Sequence, residues 1–105
     1  MSRRAKLEAM LAEEPHDKFL RYSLGLELAK EGDHQRALEF LDGLTRDEPP
    51  YVPAFFMAAQ QLAARQQIDD ARTYLRNGIE SARQQGDMHA AGEMSEFLMS
   101  LGSLP

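Results

Sequence analysis

Residues 18–51, KFLRYSLGLELAKEGDHQRALEFLDGLTRDEPPY, and residues 52–85, VPAFFMAAQQLAARQQIDDARTYLRNGIESARQQ, decide the fold, because the second stretch repeats the first 34 positions on. Leu28 falls on Leu62, Ala29 on Ala63 and Ala37 on Ala71. Working outward at the same interval, Pro15 meets Pro49, Glu14 meets Glu48, and Leu7, Leu41 and Leu75 form a series. A fixed period of this size marks a supersecondary unit that cannot bury its apolar face alone and stacks on copies of itself.

Punctuation divides the repeats into helices. Pro15, Pro49-Pro50 with Pro53, Gly32-Asp33, Gln66-Gln67 and Gly86-Asp87 are the breaks, since proline cannot continue a helix and glycine accepts left-handed exits. Helices are predicted over 3–13, 17–31, 34–46, 53–65, 68–84 and 88–101. Asp17, Asp33 and Asp87 stand where a carboxylate would cap orphan backbone N–H groups, and Pro53 suits a first turn. Apolar spacing agrees: Ala37, Leu38, Leu41 and Leu44 form one stripe, and Met94, Phe97, Leu98 and Leu101 another at i, i+3, i+4, i+7. No segment alternates as a strand would.

These residues resemble the tetratricopeptide repeat, W-x2-L-G-x2-Y, A-x3-F, P. Residues 18–51 supply Arg21-x2-Leu24-Gly25-x2-Leu28, Ala37-x3-Leu41 and Pro49; residues 52–85 supply Phe55-x2-Ala58-Ala59-x2-Leu62 and Ala71-x3-Leu75, with Arg83 at the proline position. Arg21 departs from the aromatic of the pattern. Small residues in each first helix (Gly25, Ala59) and each second helix (Ala37, Ala71) would let paired axes approach closely. The resemblance implies an all-α, right-handed α-α superhelix in one domain, 1–105: an N-terminal half-repeat helix (3–15), repeat 1 (18–51), repeat 2 (52–85) and a C-terminal capping helix (88–101). Glu93 and Glu96 fall where a further full repeat would be apolar or small, so the last helix is expected in a shifted register.

Composition excludes several functions. The chain has 105 residues, 12 basic and 17 acidic side chains, and a pI near 5.1. That balance argues against a nucleic-acid binder, which needs a concentrated cationic face. With no cysteine, thiol catalysis, disulfides and thiolate metal sites are all excluded. No uncharged run reaches the roughly 18 apolar residues of a membrane span. Ser2-Arg3-Arg4 resembles the start of a twin-arginine signal, but Lys6, Glu8, Glu13 and Glu14 interrupt any apolar stretch, so a cytoplasmic protein is expected.

No constellation points to chemistry. His16, His34 and His89 lie at expected helix starts, and none has a second histidine at i+3 or i+4; Glu93 at i+4 from His89 is a lone carboxylate, short of the ligand set a metal site requires. Glu13-Glu14 and Asp47-Glu48 precede the repeat prolines, and Asp69-Asp70 lie in a first turn where the helix dipole favours negative charge. No catalytic triad, phosphate loop or dinucleotide fingerprint occurs. The expectation is a non-enzymatic protein with no cofactor or metal.

What the resemblance implies instead is a concave wall formed by the first helices, suited to a partner polypeptide. At the 34-residue interval that wall carries Tyr22, Leu26 and Lys30, then Phe56, Gln60 and Ala64, then Met94 from the last helix. Chaperone-binding relatives clamp a terminal carboxylate with a Lys-x3-Asn pair; Tyr22-x3-Leu26 stands there instead, which excludes that clamp. Two alternatives accompany groove recognition: the terminal helix covers the wall, or the groove or the last helix pairs with a second copy in a homodimer.

Overall fold

A computed structural model describes residues 2–102. Within the described residues six α-helices follow one another: α1 (Arg3–Glu13), α2 (Lys18–Lys30), α3 (His34–Thr45), α4 (Val52–Ala64), α5 (Ile68–Gln84) and α6 (Met88–Leu101). Among the described residues there is no strand, and no helix is long and apolar enough to cross a membrane. The chain divides into two compact units, Met1–Tyr51 and Val52–Pro105, and the division falls on the boundary between the two repeats.

One turn design recurs three times. After α2, Gly32 takes φ 88° while its N–H donates to Ala29 O and the Asp33 N–H to Leu28 O at 2.9 Å. This paired bonding satisfies carbonyls that the helix end would leave bare. Gly86-Asp87 repeats it with φ 77° at Gly86 and an Asp87 N–H bond to Ala82 O at 2.8 Å. The aspartate then caps the next helix: Asp33 Oδ1 accepts from Arg36 N at 3.3 Å, and Asp87 Oδ1 from Ala90 N at 3.1 Å. Gln66-Gln67 keeps the same backbone, with φ 68° at Gln66 and Gln67 N bonded to Leu62 O at 2.9 Å, but Gln67 makes no side-chain cap.

In the first unit α2 packs on α3 and α1 covers α2. Their core joins Leu7, Leu20, Leu24, Leu28 and Ala37, with Leu11, Ala29 and Phe40 at its margin. Gly25 provides the close approach: a Cβ there would stand 3.4 Å from Leu41 Cγ, already at contact distance. The α1 helix is further tied down by Arg4 to Glu31 at 2.8 Å and Arg3 to Glu27 at 3.3 Å. Arg21, at the aromatic position of the repeat, sends both terminal nitrogens to Asp47, at 2.7 and 3.2 Å. A planar two-point bond of this kind fixes orientation as well as distance, so the arginine clasps α2 to the end of α3 where the motif would use ring packing.

In the second unit α5 packs against both α4 and α6, and α6 also touches α4. Ala59 and Ala71 are fully buried, as is Ala37 in the first unit, so the small residues face inward as close packing of helix pairs requires. Gly78 of α5 is the tightest point, where a Cβ would come 2.6 Å from both Met94 Sδ and Phe55 Cβ. At the far end Arg72 donates to Leu101 O at 2.7 Å and so holds the last turn of α6.

Candidate functional site

The first-helix residues expected on the binding wall have distinct surroundings. In the first unit Tyr22 and Leu26 are half-buried, while the Lys30 side chain is 73% exposed with Nζ 3.9 Å from Glu27. The Tyr22 ring lies against Tyr51, centroids 5.5 Å apart and planes tilted by 58°. Burial pushes the Tyr22 phenol above its ordinary pKa, and Tyr51 adds to that effect.

In the second unit Phe56 is half-buried, whereas Gln60 and Ala64 are exposed. The Phe56 ring meets Phe97 of α6 with centroids 5.7 Å apart and a tilt of 53°. The terminal helix therefore covers one flank of Phe56, and a groove remains beside the contact. It is open to solvent, has a volume of ≈ 320 Å³, and is lined by Phe56, Glu93, Glu96, Phe97 and Ser100. Tilted aromatic pairs contribute about 0.5–1.5 kcal/mol beyond their buried area, enough to hold the two rings as a preformed floor.

Met94 is not on this surface. Its side chain is fully buried, with Sδ directed at Gly78. The reason is register: α4 begins 34 positions after α2, but α6 begins 36 after α4. With no proline at Arg83, α5 runs on to Gln84, and the two added positions rotate every residue of α6 relative to the 34-residue expectation. Met94 thus takes the core place that Ala58 holds in α4, and the counterparts of Gln60 and Ala64 are Glu96 and Ser100. Phe97, Glu93, Glu96 and Ser100 are the groove residues that the fixed interval misses. The signal for them lay in the missing proline and in the two glutamates.

The groove's charge has one sign. The α4 segment VPAFFMAAQQLAA carries no ionisable side chain, and the α6 segment MHAAGEMSEFLMSL carries Glu93 and Glu96 with no lysine or arginine. His89 Nε2 lies 3.3 Å from Glu93 Oε1. Among the described residues no cation pairs with Glu96, and no three histidine, aspartate or glutamate side chains gather as a metal ion would require. His16 is exposed in the turn before α2, and His34 opens α3.

Comparison with known proteins agrees with this architecture. A family profile described as tetratricopeptide repeat matches residues 28–94. A TPR repeat-containing protein of Pseudomonas aeruginosa is 32% identical over 95 residues, covering 90% of each chain. The solution structure of a tetratricopeptide repeat domain protein from Salinibacter ruber superposes with a TM-score of 0.81 at 28% identity, over 87% of this chain and 92% of that one. A Bordetella parapertussis protein solved in solution gives a TM-score of 0.80 at 27% identity, over 97% of this chain and 89% of the other.

Proposed function

Because the chain belongs to the tetratricopeptide repeat family, whose members generally mediate protein–protein contacts, we propose that it is a non-enzymatic adaptor that docks a segment of a partner polypeptide in the groove between α4 and α6. The observation that carries this reading is the solvent-open pair Phe56 and Phe97, an aromatic floor that the protein's own helices leave partly uncovered. At ≈ 320 Å³ the groove lies at the lower end of the roughly 300–1,000 Å³ of specific ligand clefts. That size suits one or two side chains of an extended segment better than the whole face of a helix. Tyr22, Leu26 and Lys30 are a further candidate contact on the first unit, where Tyr51 braces the Tyr22 ring.

Affinity purification of the native protein, followed by identification and reconstitution of what co-elutes, tests the proposal. Phe56→Glu should abolish binding of the purified partner while circular dichroism keeps its helical signal. Unchanged affinity in a folded Phe56→Glu protein would remove the groove from the reading.

Self-association is the second reading, favoured by Met88 and Met99 of α6, which are 61% and 78% exposed. Eleven positions apart, they share one helix face at about 3.6 residues per turn. Light scattering across a concentration series decides it, since a constant monomeric mass excludes a homodimer.

A further inference from the structure

Resting on that docking reading, we infer that the α4/α6 groove selects a basic, extended segment, in which an arginine or lysine side chain lies along the Phe56–Phe97 floor with its cation held by Glu93 and Glu96. The argument is one of charge complementarity. Glu93, Glu96, Phe97 and Ser100 occupy i, i+3, i+4 and i+7 of α6, a single helical stripe, and all four line the groove with Phe56. A stripe meant to be covered by the chain itself would be apolar throughout. Here two carboxylates flank a phenylalanine: Glu93 has His89 3.3 Å away, but an apolar occupant would strip water from Glu96 without returning a partner.

A cationic side chain meets each part of the groove with matching chemistry. Its methylene stem covers ring surface while its charge stays at the rim, and the negative face of an aromatic ring attracts that charge. The carboxylates add charge-assisted hydrogen bonds, and arginine can make two at once. Neither α4 nor α6 contributes a lysine or arginine that would repel such a segment. An acidic segment would face only like charge, so the groove discriminates by repulsion as well as attraction.

The test uses the full chain and short fluorescein-labelled peptides in fluorescence anisotropy: alternating arginine and leucine, the same sequence with citrulline replacing arginine, and alternating glutamate and leucine. Citrulline keeps the shape of arginine and removes its charge. The arginine peptide should bind about tenfold or more tightly than the citrulline peptide, a difference of roughly 1.4 kcal/mol. That advantage should shrink with added salt and vanish in Glu93→Gln/Glu96→Gln, whose fold circular dichroism checks. Equal binding of the two peptides, lost in Phe56→Glu, would overturn the basic selectivity and leave the docking site standing. No binding by any peptide, or a homodimer that the arginine peptide does not displace, would overturn the inference together with the docking site.

Discussion

Replacing Gly78 with alanine sets two magnitudes of opposite sign against each other. In an unobstructed helix interior the change stabilises by about 0.5–1 kcal/mol, because glycine loses more backbone freedom on folding. At Gly78 the new Cβ would sit 2.6 Å from Met94 Sδ, 2.6 Å from Phe55 Cβ and 3.0 Å from Phe55 Cγ. Favourable carbon contacts lie near 3.5–4.0 Å, so roughly 1 Å of separation must be found. The methionine tip can swing aside. Phe55 Cβ cannot, because it is bonded to the α4 backbone, and so α4 and α5 must part. Overpacking of this kind costs about 1–3 kcal/mol, which after the helix gain leaves Gly78→Ala between roughly neutral and destabilised by about 2.5 kcal/mol.

Gly92 in α6 supplies the control, since nothing lies within 4 Å of a Cβ built there. Gly92→Ala should therefore stabilise by about 0.5–1 kcal/mol. Urea denaturation of both variants, read as midpoint shifts at a common slope, measures the two effects with opposite signs. The consequence reaches the groove, because α4 carries Phe56 and α6 carries Phe97: at urea-free equilibrium Gly78→Ala should also weaken binding of the arginine peptide. A Gly78→Ala protein stabilised as much as Gly92→Ala would refute the packing account of how these two walls are held.

Replacing Gln66-Gln67 with Gly-Asp should stabilise the protein by about 1–2 kcal/mol in the same assay, since glycine removes the left-handed penalty at φ 68° and aspartate adds the missing cap. Asp69 and Asp70 already occupy that first turn and repel a third carboxylate, which holds the gain toward the lower figure. For Tyr22, the folded chain raises the phenol's pKa above 10.0, so its contribution to stability is complete below that value and is lost as pH rises through the raised one. An ultraviolet phenolate titration should show a late component that Tyr22→Phe removes, and the stability difference between the two proteins should change only in that alkaline window.

Much of the fold was legible in the sequence because helix ends are written locally. Gly32-Asp33 and Gly86-Asp87 each encode a left-handed exit and the next helix's cap within two residues, and the structure uses both. The small residues Gly25, Ala37, Ala59 and Ala71 likewise report close helix pairing from their spacing alone, and all four are buried. Arg21 was opaque for the opposite reason. Its partner Asp47 is 26 positions away, a separation that the 34-residue period does not link, so nothing local shows that an ion pair has replaced ring packing.

The groove lay between these cases, because a repeat predicts a neighbour's side chain only while its period holds. From α2 to α4 the interval is 34 and the reading transfers residue by residue; from α4 to α6 it is 36. Two extra helical positions turn a side chain by about 200° at roughly 100° per residue, which carries Met94 from the expected wall into the core and brings Glu96 out. The glutamates already argued for this rotation, since a helix packed at the unshifted register would have had to bury Glu93 and Glu96 without partners, at a cost of several kcal/mol each. The longer α5 is thus the physical origin of an acidic groove wall: it turns α6 so that Met94 meets Gly78 while Glu93, Phe97 and Ser100 face the same opening as Phe56.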